Sequence, residues 1–317
     1  MKEDDLLYGA HSGLQKAVRR GDLDLCKTCF DLLWSEKKHR DWLKWRVSSI
    51  VLEEAWFFGG KLKRLQKSKS SEEKDWRKFF YELCLIRKVK DAGAIWEIPF
   101  NDSDSAELIL AEKWRKKYGS PWDADISSLG YSLASACRES RELSEYESMS
   151  LEVFESRASM GGMFGDRVVA VGSILLLMTR TVDEAIVDDL IDKGVKSWTK
   201  KKGRRPRTVN LPWYVFDMHT QVGKIAMSVV KKKKKELIPD DLLAVWFLLE
   251  SAYIPESLRV ENLETPNAFE EKWWPIHKKS ELEQQGGKDM IQIWDDSLRD
   301  HIKGIVEWLL EKRGGAE

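Results

Sequence analysis

Apolar residues return every three to four positions along nearly the whole chain, and this period limits the fold more than any other feature. It is the repeat of one buried helix face. Only eight prolines are present, most of them at segment edges. The expected fold class is therefore all-α, a multi-helix bundle. With 317 residues, 42% of them hydrophobic and 33% charged, the chain can bury a real core, and its length suggests about two domains.

Residues 12–20 predict a short first helix, with Gly21 in the stop position that glycine favours. Asp22 reads as the N-cap of a helix to about residue 37, in which Leu25, Cys26, Cys29, Phe30, Leu32 and Leu33 share one face. A helix over 41–58 carries one stripe of Trp42, Trp45, Ser49, Leu52 and Trp56 and another of Leu43, Val47, Ile50, Val51 and Phe58. Apolar on both sides, it belongs in the middle of a bundle. Gly59 and Gly60 are expected to end it, leaving 61–71 as a polar connector. Ser70 with Glu73, Asp104 with Glu107 and Thr181 with Glu184 have the capping-box spacing that opens a helix. Helices are also expected over 128–141, 143–159, 166–178 and 290–312, and from Trp213 to about residue 235. The β-branched residues of 166–178 would suit a buried strand, but the length favours a helix. Four segments result: N-terminal helices 1–60, an inserted helical segment 61–160, further helices 161–235 with a basic loop at 196–207, and a helical extension 236–317.

Several function classes drop out. The longest apolar run, Val168 to Met178, is about half of the roughly 20 residues a membrane span needs. The acidic start, Met1 to Asp5, lacks the apolar core of a signal peptide. Four cysteines make no disulfide framework, so a reducing, cytoplasmic setting is expected. Gly59-Gly60-Lys61, Val222-Gly223-Lys224 and Gly286-Gly287-Lys288 all lack the earlier glycine and following hydroxyl of a phosphate-binding P-loop. No cofactor is called for.

Weaker chemical signals remain. Cys26 and Cys29 form a CxxC without further ligands, so a core role is expected. Asp217 and His219 form a polar site candidate, but residues two apart on a helix point about 200° apart. Paired acids recur at Glu53-Glu54, Asp183-Glu184, Asp188-Asp189, Asp240-Asp241 and Asp295-Asp296. Capping and the helix dipole account for those at helix starts. One of Glu53 and Glu54 is expected buried and paired, with Arg46 as the candidate partner. Fifteen tryptophans are spread from Trp34 to Trp308. They read as core, and base stacking would need an exposed one beside a basic groove.

The clearest physical signal is local charge. Lysine plus arginine equals aspartate plus glutamate at 53 each, so no global field favours nucleic acid. Yet Lys196, Lys200, Lys201, Lys202, Arg204, Arg205 and Arg207 stand within twelve residues that contain no acid, and Lys231 to Lys235 add five more cations. Each cation set on a phosphate releases counterions and gives salt-dependent, sequence-blind affinity. Lys224 between the two runs is a lesser candidate.

Four segments, in order, resemble one family. Leu14 to Asp22 (LQKAVRRGD), leading into a helix that ends Phe30-Asp31-Leu32-Leu33-Trp34, is similar to the collar helices of the RarA/MgsA replication-associated recombination proteins, relatives of the clamp loaders. Arg46 to Ala55 resembles the next family helix. Met163 to Met178 resembles a later one, and Leu211-Pro212-Trp213 through Gly223-Lys224 stands where the family has its "V-P-x-H-L-R" segment. The likeness covers roughly 110 residues. The ATPase module is missing, 61–160 would be an insertion and 236–317 an extension. The resemblance implies a collar-type domain, which in the family drives oligomerisation and helps engage DNA; it does not imply ATP hydrolysis.

The sequence thus reads as a chain without its own catalytic centre, a DNA-binding or assembly factor in replication, recombination or repair. The type of DNA is left open. It would act as a homo-oligomer or beside a separately encoded ATPase, away from membranes, in the cytoplasm or on the nucleoid. The alternatives are a metal-dependent nuclease built from Asp217, His219 and acidic pairs, and a protein–protein scaffold.

Overall fold

A computed structural model describes residues 3–68, 72–89, 91–95, 106–119, 125–160, 164–189, 211–216, 220–233 and 296–314. Among these residues the chain is all-α. The helices are α1 (Glu3–Arg20), α2 (Leu23–Ser35), α3 (Lys37–Ala55), α4 (Gly59–Lys67), α5 (Glu73–Leu85), α6 (Asp91–Ala94), α7 (Ala106–Tyr118), α8 (Ile126–Ser140), α9 (Glu145–Ser159), α10 (Phe164–Thr179), α11 (Glu184–Asp189), α12 (Gln221–Lys233) and α13 (Asp296–Gly314). Short 3-10 turns cover Trp56–Phe58 and Trp213–Val215. An isolated β-bridge joins Ala55 and Val89.

The chain divides into two compact units. One holds Met1–Leu43, Lys201–Pro255 and Pro275–Glu317, and the other Lys44–Lys200 and Glu256–Trp274. In the first, α1 packs on α2 and α12 packs on α13. Gly21 closes α1 with φ +66°, a left-handed conformation that costs glycine little. The amide of Asp22 reaches back to Ala17 O at 2.9 Å and that of Gly21 to Val18 O at 3.3 Å. These two bonds satisfy helix-end carbonyls in the manner of a Schellman turn. Asp22 then caps α2 by accepting from the Leu25 amide at 2.9 Å. Cys26 and Cys29 are buried in the core, as their spacing suggests, and burial pushes the Cys29 thiol far above its ordinary value.

In the second unit α10 is the central helix, in contact with α6, α7, α8 and α9. Val168, Ala170, Val171, Ile174, Leu175, Leu176 and Leu177 are all buried, which accounts for its nearly unbroken apolar sequence. Gly172 lets α6 approach: a Cβ built there would stand 1.8 Å from Ala92 O.

Two local expectations are corrected. Gly59 and Gly60 do not end a helix but begin α4, which runs through the expected connector. Both are buried, and a Cβ on either would meet the ring of Phe154 or Tyr146 at under 3 Å, so they serve close packing against α9. The cap of α5 is Glu72, in a reciprocal box with Asp75, rather than Ser70, which lies outside the described residues.

Candidate nucleic-acid interface

Of the residues singled out for polyanion contact, Lys224 is described. Lys196, Lys200, Lys201, Lys202, Arg204, Arg205 and Arg207 lie outside the described residues, as do Asp217 and His219. The frame that follows the strip in sequence is well defined. Lys16 of α1 is almost wholly buried, and its Nζ donates to Tyr214 O at 2.7 Å and to Ser12 Oγ at 2.9 Å. Arg20, one turn later, lies over the Tyr214 ring at 4.0 Å. Gly9 and Gly13 clear the same surface for Phe216 and Val215. Two cations of α1 thus fasten the turn that leads toward α12.

Thr220 opens α12. Its Oγ1 accepts from the Gly223 amide at 3.0 Å, and its carbonyl accepts from the Lys224 amide at 3.0 Å. Val222, Ala226 and Val230, four residues apart, are buried. Ile302, Ile305, Val306 and Leu309 are buried on α13, the helix packed against α12. Lys224 and Lys232 are exposed, and neither makes an ion pair among the described residues.

The cations of the second unit are placed differently. Lys61 holds Glu82 and Asp188, and Lys63 and Lys67 share Glu152. Arg64 grips Glu184, Arg138 pairs with Glu155, and Arg180 with Glu107 at 2.8 Å. The deepest group surrounds Asp166. Its carboxylate accepts from Arg46 Nη1 at 2.9 Å on each oxygen, from Ser49 Oγ at 3.0 Å and from Arg157 Nη2 at 2.8 Å. Burial presses Arg157 below the ordinary guanidinium value while Asp166 opposes it. Trp45 is 40% exposed, but its ring lies over Arg157 at 4.0 Å, a cation already held by Asp166.

A second clamp centres on Glu147. It accepts two bonds from Arg141, at 2.7 and 3.0 Å, and the amides of Ser144 and Val182. Arg141 also donates to Leu177 O and Arg180 O at 2.9 Å each. Burial alone would raise the Glu147 carboxyl, but Arg141 and the two amides bring it down to about 2.

These contacts account for the acidic pairs that are described. Glu53 meets Arg46 at 3.2 Å, while Glu54 is the fully buried member. Asp183 caps α11 through the Ala185 amide at 2.9 Å, and Glu184 and Asp188 hold Arg64 and Lys61. Among the described residues no group of three or more His, Cys, Asp or Glu is placed to hold a metal ion. No described helix is long and apolar enough to cross a membrane. Sequence reasoning missed the roles of Lys16, Arg141 and Arg157, because their partners lie 6 to 198 residues away and no local pattern marks them.

No family model matches the chain, and no curated protein or solved structure matches it either.

Proposed function

We propose that this chain is a non-catalytic DNA-binding and assembly factor of replication, recombination or repair, a relative of the RarA-type helical collar. The observation that carries the reading is the segregation of charge. Twelve of the 53 cations stand in 196–207 and 231–235, which leaves 41 cations against 53 acids elsewhere. A neutral chain thus concentrates positive charge in two short runs, one before α12 in sequence and one that begins in its last turn. Such runs attract a polyanion locally without any global field.

Two features support the placement. The described cations of the second unit largely pair with acids of their own unit, which cancels much of their charge. Lys224 of α12, between the two runs in sequence, and Lys232, within the second run, are by contrast exposed. The resemblance of 14–34, 46–55, 163–178 and 211–224 to collar helices adds assembly to the reading, as a homo-oligomer or with a separately encoded ATPase.

The test is neutralisation of Lys200, Lys201, Lys202, Arg204, Arg205 and Arg207 together, read by anisotropy with labelled duplex and single-stranded DNA. The expected result is a loss of affinity of at least about tenfold at low salt. Incubation with magnesium or manganese should leave the DNA intact. Unchanged affinity in the variant would refute the reading, and cleavage that depends on Asp217 and His219 would establish a nuclease instead.

A further inference from the structure

In the first unit three rings from two helices are laid together. His11 of α1 stacks on Trp42 of α3 with centroids 3.7 Å apart and planes 6° apart. Tyr8, three residues before His11, meets it edge-on at 5.8 Å. His39 holds His11 in place, with Nε2 of one and Nδ1 of the other 2.9 Å apart. The stacked His11–Trp42 pair is partly shielded, but Tyr8, set edge-on against it, is 55% exposed. A large ring left in water on a rigid support is the form of a stacking platform.

The charge beside it is mixed: Glu3, Asp4 and Asp5 precede Tyr8 in the first turn of α1, and the cations stand on α3. Lys37 and Lys38 adjoin His39 at the start of α3, both are exposed, and neither makes an ion pair among the described residues. The Lys38 charge reaches His11 and helps to disfavour its protonation. Glu36 and Asp41 are the exposed carboxylates of the same stretch. They lie on either side of the Lys37-Lys38-His39-Arg40 run, and among the described residues the hydrogen bond of His11 is with His39.

We propose that the Tyr8–His11–Trp42 ladder is a base-stacking subsite for single-stranded DNA, in which an unpaired base lies on Tyr8 and Lys37 and Lys38 meet the flanking phosphates. A base in a duplex has both faces covered by its neighbours, so the platform takes an unpaired one. This subsite rests on the DNA-binding reading above and adds what the cationic runs cannot supply, a preference for bases over bare backbone.

The experiment compares a labelled oligothymidylate of about 20 nucleotides with an abasic strand of the same length, using the full chain. The wild type should bind the oligothymidylate about tenfold more tightly than the abasic strand. Tyr8→Ala should abolish that ratio while leaving abasic affinity unchanged, and Tyr8→Phe should keep it. Because Tyr8 is largely in water, its truncation leaves the core intact. Equal binding of both strands by the wild type, or an undiminished ratio in Tyr8→Ala, overturns the subsite while the DNA-binding reading stands. Failure of the wild type to bind either strand overturns both.

Discussion

Arg157 and Asp166, nine residues apart in sequence, form an ion pair at 2.8 Å with side chains 3% and 4% exposed. Arg157 comes from α9 and Asp166 from the first turn of α10, where a carboxylate also suits the helix dipole. Arg46 of α3 closes on the same carboxylate, so one aspartate ties three helices. Asp166→Asn would keep the shape and remove the buried carboxylate charge that Arg157 and Arg46 share. It should lower unfolding free energy by about 3–5 kcal/mol, measured by urea denaturation. A loss under about 1 kcal/mol would show that the cluster contributes little.

Gly172 gives a test with an inverted sign. In an exposed helix interior, glycine to alanine stabilises by about 1 kcal/mol. Here the added methyl would stand 1.8 Å from Ala92 O and 3.1 Å from the Ile95 side chain. Gly172→Ala should therefore destabilise by about 2 kcal/mol or more, because α6 must move away. A rise in thermal midpoint would contradict the packing described for α6 and α10.

The pH dependence of stability should have two windows, one from each unit. Burial first, then the charges of His39 and Lys38, bring His11 down from 6.5 to about 4. Between those values the unfolded chain binds the proton that the folded chain refuses, so stability falls as pH drops from 6.5 toward 4 and is full above 6.5. Glu147, depressed from 4.5 to about 2, contributes stability above 4.5 that is lost as pH falls toward 2. Urea midpoints taken across this range should fall in both windows. His11→Phe should remove the first decline and Glu147→Gln the second. A wild-type midpoint that stays flat from pH 7 to pH 4 would rule out the His11 window.

Most of the helices were legible, since a local period marks them and a local cap opens several. Asp22 capping α2, the cysteines in its core and the apolar run of α10 could be read directly. Arg46 with Glu53 was within reach because the two are seven residues apart on one helix. Its stronger partner, Asp166, lies 120 residues away and is set by how α3 meets α10. The same limit hid Lys16 with Tyr214 and His11 with Trp42. Gly59 and Gly60 misled because glycine has two uses, ending a helix and letting two helices touch, and only the Tyr146 and Phe154 rings decide between them. Of the candidate site, the cationic strip was legible as charge, because charge density needs no partner to be seen.

The central claim is that phosphates meet the confined cationic strip, and the salt dependence of DNA affinity tests it most directly. With six strip cations engaged on duplex DNA, the logarithm of the binding constant should fall with the logarithm of salt concentration with a slope of about −5. The variant neutralised at Lys200, Lys201, Lys202, Arg204, Arg205 and Arg207 should lose most of that slope. Equal slopes in the two proteins, or a wild-type slope near zero, would contradict the account.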